Sequence, residues 1–182
     1  MIEYYTFKHN GGAENYNDEV FLTVFPHITL AIFYGSVLGE KSSGAMKVFT
    51  DILSGENAQM DFQCMARDIE KAIPDNAEYI ALRITDEEID SVRRGRVLAK
   101  IIKNGELKDL PNGIFGLANE DRIICATDNF FKYISDEGIM ADALCSLSCE
   151  EWMDNMVDRI SDENRLDCGN LSAVTLIVRS ED

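Results

Sequence analysis

The order of strand-like and helix-like segments is the feature that most constrains how this chain folds. Residues 2–7, 19–25 and 28–33 are rich in β-branched and aromatic side chains, which is typical of β-strands. We expect the second and third of these strands to form a hairpin. Apolar residues then recur at helical spacing over 45–53 and 62–73, which predicts a pair of helices.

The second half of the chain has further strands and a second helix pair. Strand patterns occupy residues 79–85, 89–94, 96–103, 122–126 and 171–178. Asn104-Gly105 is a typical two-residue hairpin turn. Ser135 is predicted to cap one helix, and a capping box from Ser148 to Glu151 is predicted to begin the next. The apolar residues that we expect these two helices to bury are Ile139, Met140, Ala143, Leu144, Leu147, Trp152, Met153, Met156, Val157 and Ile160.

This order of segments predicts the fold class. Each helix pair presents one apolar stripe, and that stripe must cover a sheet. Because the connections are too short for β-α-β crossovers, antiparallel sheets are favoured. We therefore expect an α+β fold in which residues 1–182 form a single domain, a four-layer α-β-β-α sandwich of two antiparallel sheets. A single mixed sheet with helices on both faces is the alternative.

The net charge and the cysteine content limit the classes of partner, the kinds of structural site and the cellular compartment that we expect. The chain has 17 lysines and arginines against 33 aspartates and glutamates, a net charge of −16, which argues against nucleic acid or an anionic membrane as a partner. Five cysteines without a CxxC pair, and only two histidines, argue against a disulfide framework or zinc site and predict a cytoplasmic protein. The one basic cluster is interpreted as a solvated strand and turn; it comprises Arg93, Arg94, Arg96 and Lys100.

The candidate chemical groups are two aspartates at strand ends. The chain contains no nucleophile-elbow or phosphate-loop motif. Asp18 precedes the strand at 19–25, and Asp128 follows the strand at 122–126. A carboxylate at a strand end is suited to bind magnesium or manganese, although Asp128 has the alternative role of starting a turn.

Several segments together resemble one enzyme family. In chain order the segments are YNDEVFL, AIFYGSVLGEKSSGA, RRGRVLAKIIKNGELKDL, DRIICATDNFFKYISDEGIMADAL and, after the tryptophan helix, GNLSAVTLIV. In this order they resemble the metal-dependent protein phosphatase 2C family. The resemblance implies the α-β-β-α fold. It also implies hydrolysis of phosphoserine and phosphothreonine in proteins by a water that two magnesium or manganese ions activate.

The resemblance assigns metal-binding aspartates to four positions, of which two are still aspartates. The first-strand aspartate falls on Asp18, with a register that is uncertain by one position. The aspartate of the family's Ser/Thr-Asp-Gly segment falls on Asp128, followed here by Asn129 instead of glycine. Asp18 and Asp128 are therefore the candidate residual metal ligands, and we expect them to bind an ion weakly.

The other two positions have lost their carboxylates. The bridging aspartate of the family's Asp-Gly pair falls on Tyr34, followed by Gly35, and the last aspartate falls on Gly169. Asp167 is a possible substitute ligand. A phenol has a pKa near ~10 and cannot replace the bridging carboxylate, which offsets the repulsion between two dications. The arginine that the family uses to hold phosphate also has no counterpart over residues 10–18.

These losses favour a protein without confident catalytic residues. We expect a pseudophosphatase that acts as a regulatory or protein-binding module, with a phosphoprotein or kinase as possible partner and no cofactor. The alternative is a divergent metal-dependent Ser/Thr phosphatase that uses magnesium or manganese. A third reading is a structural or assembly subunit. The sequence does not specify the oligomeric state.

Overall fold

The computed structural model covers the chain in several ranges. It describes residues 1–12, 14, 18–24, 27–34, 47, 50–51, 61–73, 75–162 and 169–180. The helix predicted over 45–53 lies largely outside the described residues. Two compact units are present: Met1–Tyr16, Leu98–Leu110 and Leu117–Asp182 form the first, and Asn17–Val97 and Pro111–Gly116 form the second.

Ten strands and four helices make up the described part of the chain. The strands are β1 (Ile2–His9), β2 (Glu19–Thr23), β3 (Ile28–Tyr34), β4 (Glu78–Ile84), β5 (Glu88–Arg94), β6 (Val97–Lys103), β7 (Glu106–Asp109), β8 (Gly113–Gly116), β9 (Arg122–Thr127) and β10 (Leu171–Val178). The helices are α1 (Phe62–Ala72), α2 (Asp128–Lys132), α3 (Asp136–Cys145) and α4 (Cys149–Asp162). None of these helices is both long and apolar enough to cross a lipid bilayer.

The first unit is built around a five-stranded sheet with the order β1-β10-β9-β6-β7. Strand β10 pairs antiparallel with both β1 and β9, and all eight of its residues are buried. Helices α3 and α4 cover one face of this sheet. Their apolar stripes meet around Trp152, which is completely buried and donates its indole N–H to the carbonyl of Ile139 at 3.3 Å. The predicted pairing of this helix pair with a sheet is confirmed.

Helix α4 begins with a modified capping box. The hydroxyl of Ser148 accepts the backbone N–H of Glu151 at 3.1 Å, as predicted. The Glu151 carboxylate, however, accepts the N–H of Leu147 instead of that of Ser148. Strand β1 also contributes to the start of this helix: the Glu3 carboxylate accepts the backbone N–H of Cys149 at 2.6 Å. Cys149 is fully buried, and burial raises the pKa of its thiol to about 12.

The second unit is built around an antiparallel sheet with the order β2-β3-β4-β5-β8. Strands β2 and β3 form the predicted hairpin, in which Glu19 pairs with Phe33. Helix α1 begins at its N-cap Asp61, whose carboxylate accepts the N–H of Cys64 at 3.0 Å. Its buried face packs on one side of the sheet, against Phe33 and Tyr79.

Three features of the fold differ from the sequence-based expectation. Strand β8 and helix α2 were not predicted: β8 has glycine at both ends and forms by pairing with the sheet at β5, and α2 is too short to show a helical period. The expected burial of Leu144 and Leu147 was wrong, since these side chains are 76% and 83% exposed. Helix α3 ends at Cys145, and Leu144 lies on its outer face.

The packing of Trp152 predicts the largest stability loss in the first unit. We expect Trp152→Ala to lower the free energy of unfolding by about 3–5 kcal/mol, because it empties a fully buried site. Leu144→Ala is the control and should change the free energy of unfolding by less than about 0.5 kcal/mol. Urea unfolding followed by circular dichroism measures both, and equal losses would contradict the burial of Trp152 and the exposure of Leu144.

Candidate functional site

Three side chains of the second unit form a row at one end of its sheet. Tyr34 is the last residue of β3 and pairs with Glu78, the first residue of β4. Continuing the β2–β3 register by one residue beyond the Glu19–Phe33 pair places Asp18 opposite Tyr34. Because side chains alternate between the faces of a strand, all three lie on the face away from α1. We call Asp18, Tyr34 and Glu78 the strand-end row; Asp18 and Tyr34 are 1% and 5% exposed.

An arginine completes this end of the sheet. The guanidinium carbon of Arg96 lies 4.4 Å from the centre of the Tyr34 ring, a cation–π contact. Its Nε donates to Glu78 Oε2 at 2.8 Å, and its backbone N–H donates to the same oxygen at 3.1 Å. A guanidinium whose side chain is 47% exposed therefore lies beside the position that the resemblance assigns to the bridging aspartate. The carboxylate next to Tyr34 in the strand-end row, that of Glu78, is paired with the Arg96 guanidinium.

Gly95 makes the approach of Arg96 to Glu78 possible. Its φ of +79° is in the left-handed region that favours glycine. A Cβ atom at this position would lie 2.4 Å from Glu78 Cγ and 2.8 Å from Glu78 Cβ. Glu78 cannot retreat, since its Cβ is fixed by the backbone of β4. Glycine is therefore required where the chain turns from β5 toward Arg96.

The other candidate aspartate lies in the first unit, at the junction of β9 and α2. Asp128 is the first residue of α2, where a carboxylate is favoured by the helix dipole. The preceding Thr127 does not cap the helix with its side chain; its hydroxyl accepts the backbone N–H of Ser172 from β10 at 3.3 Å. The Oδ1 atom of Asp128 is buried and has no hydrogen-bond partner among the described residues. An unsatisfied buried carboxylate oxygen is a suitable ligand for a cation.

Beside Asp128, an asparagine side chain occupies the space next to Gly169. The Nδ2 of Asn129 donates to the carbonyl of Asn170 at 3.3 Å. Gly169 has a φ of +70°, and a Cβ atom there would lie 3.0 Å from the same Nδ2. The N–H of Gly169 donates to the carbonyl of Gly11 at 3.2 Å. The fold thus brings the two assigned segments of this unit together, and the neutral Asn129 amide lies next to Gly169.

The donor set does not fit a pair of metal ions. Each hard cation needs about six oxygen ligands, several of them charged. Asp128 is the one carboxylate at the assigned positions of the first unit, and no group of three or more histidine, cysteine or acidic side chains that could hold a metal occurs among the described residues. In the second unit Arg96 adds a positive charge beside Tyr34. Gly35 and Asp167 lie outside the part of the chain that the structure describes.

Sequence reasoning missed the residues that surround these positions. Arg96 was interpreted as part of a solvated basic cluster; it is exposed, but its pairing with Glu78 was not predicted. Arg94 lies at the start of the same turn and donates to the carbonyl of Ala77 at 2.8 Å. Lys100, in the other unit, pairs with Asp109 and Asp136. No sequence motif links Tyr34 to Glu78, because these residues become neighbours only through the register of β3 with β4. The asparagine after Asp128 was a visible signal, since the family has glycine there.

Solved structures match this chain over almost its whole length. No family model matches it, and no curated protein sequence does. The serine/threonine phosphatase PstP/Ppp of Mycobacterium tuberculosis matches with a TM-score of 0.79 at 13% identity, over 98% of this chain and 99% of that one. The PstP catalytic domain in complex with two manganese ions has a TM-score of 0.76 at 13% identity, over 98% and 99%. RsbX in complex with magnesium has a TM-score of 0.75 at 14% identity, over 97% and 94%.

These matches establish the fold. The chain has the fold of protein phosphatase 2C-type Ser/Thr phosphatases, as the resemblance predicted. The predicted fold class, α+β with two antiparallel sheets, is confirmed, and the described strands do not form the single mixed sheet that was the alternative. Identities of 13–14% carry no statement about activity.

Two glycines with the same backbone conformation test the geometry around Arg96. Gly105 has a φ of +77°, and no atom lies within 4 Å of the point that a Cβ there would occupy, so Gly105→Ala should cost only backbone strain, about 1 kcal/mol. Gly95→Ala adds the collision with Glu78 and should lower the free energy of unfolding by about 1–3 kcal/mol more. Urea unfolding of the two variants measures the difference. An equal cost at both positions would refute the close approach of Gly95 to Glu78.

Proposed function

We propose that this chain is a pseudophosphatase: a protein with the phosphatase 2C fold that binds a partner protein and does not hydrolyse phosphate esters. The observation that carries the proposal is the Arg96 guanidinium, which Glu78 holds over the ring of Tyr34. In place of a bridging carboxylate, this position has a neutral phenol next to a positive charge. A phosphoprotein or a kinase is the class of partner that we propose.

Electrostatics explains why this arrangement is unsuited to two-metal chemistry. Two dications a few ångströms apart repel each other, and a bridging carboxylate between them reduces that repulsion. A guanidinium has the same sign of charge as the metal ions and therefore adds to the repulsion. Without tightly held ions, the pKa of water stays too high to give a hydroxide nucleophile near neutral pH.

One observation favours the alternative, a divergent metal-dependent Ser/Thr phosphatase. The buried Oδ1 of Asp128 lacks a hydrogen-bond partner among the described residues, and such an oxygen is free to ligate a single magnesium or manganese ion. We rank this alternative second, because one carboxylate supplies only a small part of the ligands that one ion needs.

An activity assay with matched variants tests the proposal. We expect the wild-type chain with millimolar manganese to release no phosphate from a phosphothreonine peptide above the level of Asp128→Asn. A variant that restores the family's pattern combines Tyr34→Asp, Gly169→Asp, Asn129→Gly and Arg96→Gln. The third change is needed because a Cβ at residue 169 would lie 3.0 Å from the Asn129 amide, and the fourth removes the competing cation.

The outcomes separate the two functions. Manganese-dependent activity in the restored variant, and none in wild type, supports a phosphatase fold without its chemistry. A second control carries all the changes except Tyr34→Asp, and it should stay inactive because the bridging carboxylate is still absent. Turnover by the wild-type chain that Asp128→Asn abolishes would show that the protein is an enzyme and would overturn the proposal.

A further inference from the structure

The first unit contains an apolar groove that the proposed function does not use. It lies between helix α3 and the hairpin of β6 and β7, and its volume is about 660 Å³. Its apolar residues are Leu107, Met140, Ala141 and Leu144, and its charged residues are Glu106, Lys108, Asp136 and Glu137. The groove is open to solvent, and Leu144 is 76% exposed.

Helix α3 has exposed apolar residues in addition to those on its buried face. Ile139 and Ala143 face inward and are buried in the core around Trp152. Met140 packs partly against the same core and lines the groove together with Ala141 and Leu144. Ala141 and Leu144 are exposed, so part of α3 presents apolar side chains to solvent, as a surface that binds another molecule does.

Ion pairs hold the two walls of the groove in place. The Lys100 ammonium on β6 contacts Asp109 at 3.1 Å, at the end of the hairpin, and Asp136 at 3.0 Å, at the start of α3. Burial lowers the pKa of Lys100, but the hydrogen bonds from the two aspartates outweigh burial and raise it overall, so the ammonium stays charged. A partner therefore meets a groove that is already formed, which reduces the ordering cost of binding.

The charge around the groove indicates the chemistry of its occupant. Three carboxylates line it, those of Glu106, Asp136 and Glu137, together with the ammonium of Lys108. Glu106 is paired with Lys108 at 2.6 Å, and Asp136 shares the Lys100 ammonium with Asp109, so the surroundings of the groove have four carboxylates against two ammonium groups. The apolar floor thus has an acidic rim, within a chain of net charge −16. Such a rim attracts a cationic partner and repels both an anionic membrane and a second copy of this chain.

We propose that this groove binds a basic amphipathic segment of a partner protein, in the helix-in-groove mode. The stretch of α3 from Asp136 to Leu144 is about 12 Å long, which matches about two turns of a partner helix. Two turns present apolar anchors at positions i, i+3 or i+4 and i+7, and the lysines or arginines beside them would meet the acidic rim. This docking surface would serve an inactive or an active phosphatase fold equally, so it does not depend on the proposed function.

Fluorescence anisotropy with a labelled peptide tests the proposal on the full chain. The probe is a 14-residue helical peptide with leucines at i, i+3, i+4 and i+7 and lysines at most other positions. One control peptide has the same composition in scrambled order, and another has glutamate in place of lysine. Leu144→Glu is the test variant; Ile114→Glu is the matched control, since Ile114 is also exposed, at 57%, but lies in the second unit.

We expect the leucine–lysine peptide to bind wild type at least about tenfold more tightly than either control peptide does. Leu144→Glu should weaken binding by about tenfold or more although it adds negative charge, whereas Ile114→Glu should leave it within about twofold. If Leu144→Glu binds the leucine–lysine peptide as tightly as wild type does, the peptide is held by charge attraction alone and not by the apolar groove. That result would overturn the proposal. No binding of the peptide would also overturn it, as would a wild-type dimer in sedimentation velocity that Leu144→Glu dissociates.

Discussion

The antiparallel ladder that joins β2, β3 and β4 determines the character of the candidate site. It places Asp18, Tyr34 and Glu78 in one row, on the face of the sheet that α1 does not cover. Because side chains alternate along a strand, a slip of one residue would turn the whole row to the other face. The row receives Arg96 because Gly95 lets the chain turn within contact distance of Glu78. The charge of the site therefore follows from backbone register before any ligand is considered.

In both units, the positions that the resemblance assigns to metal-binding aspartates contain groups that contact one another. In the second unit, Arg96 neutralises Glu78 and covers the ring of Tyr34. In the first unit, the Asn129 amide occupies the space beside Gly169 and hydrogen-bonds to the Asn170 carbonyl. The Arg96–Glu78 pair is partly exposed, so it adds only about 0–1 kcal/mol to stability. Asp128 is the exception, because its Oδ1 retains no such partner among the described residues.

Much of the fold was accessible from sequence, because hydrophobic period and turn chemistry are local signals. The Asn104-Gly105 turn, the Ser135 cap and the stripe around Trp152 were all predicted from neighbouring residues, and all are present. Features that depend on contacts between distant residues were not accessible. Strand β8 forms by pairing with β5. Arg96 contacts Glu78 because the chain turns at Gly95. The exposure of Leu144 was missed because helical spacing alone does not tell a buried apolar position from an exposed one.

The proposed loss of the two-ion chemistry can be measured as metal content. The wild-type chain is incubated with manganese, desalted and analysed by mass spectrometry. We expect the desalted protein to retain no stoichiometric manganese, because Tyr34 and Gly169 supply no carboxylate and Arg96 adds a positive charge beside Tyr34. Two manganese ions retained per chain, and lost in Asp128→Asn, would contradict it.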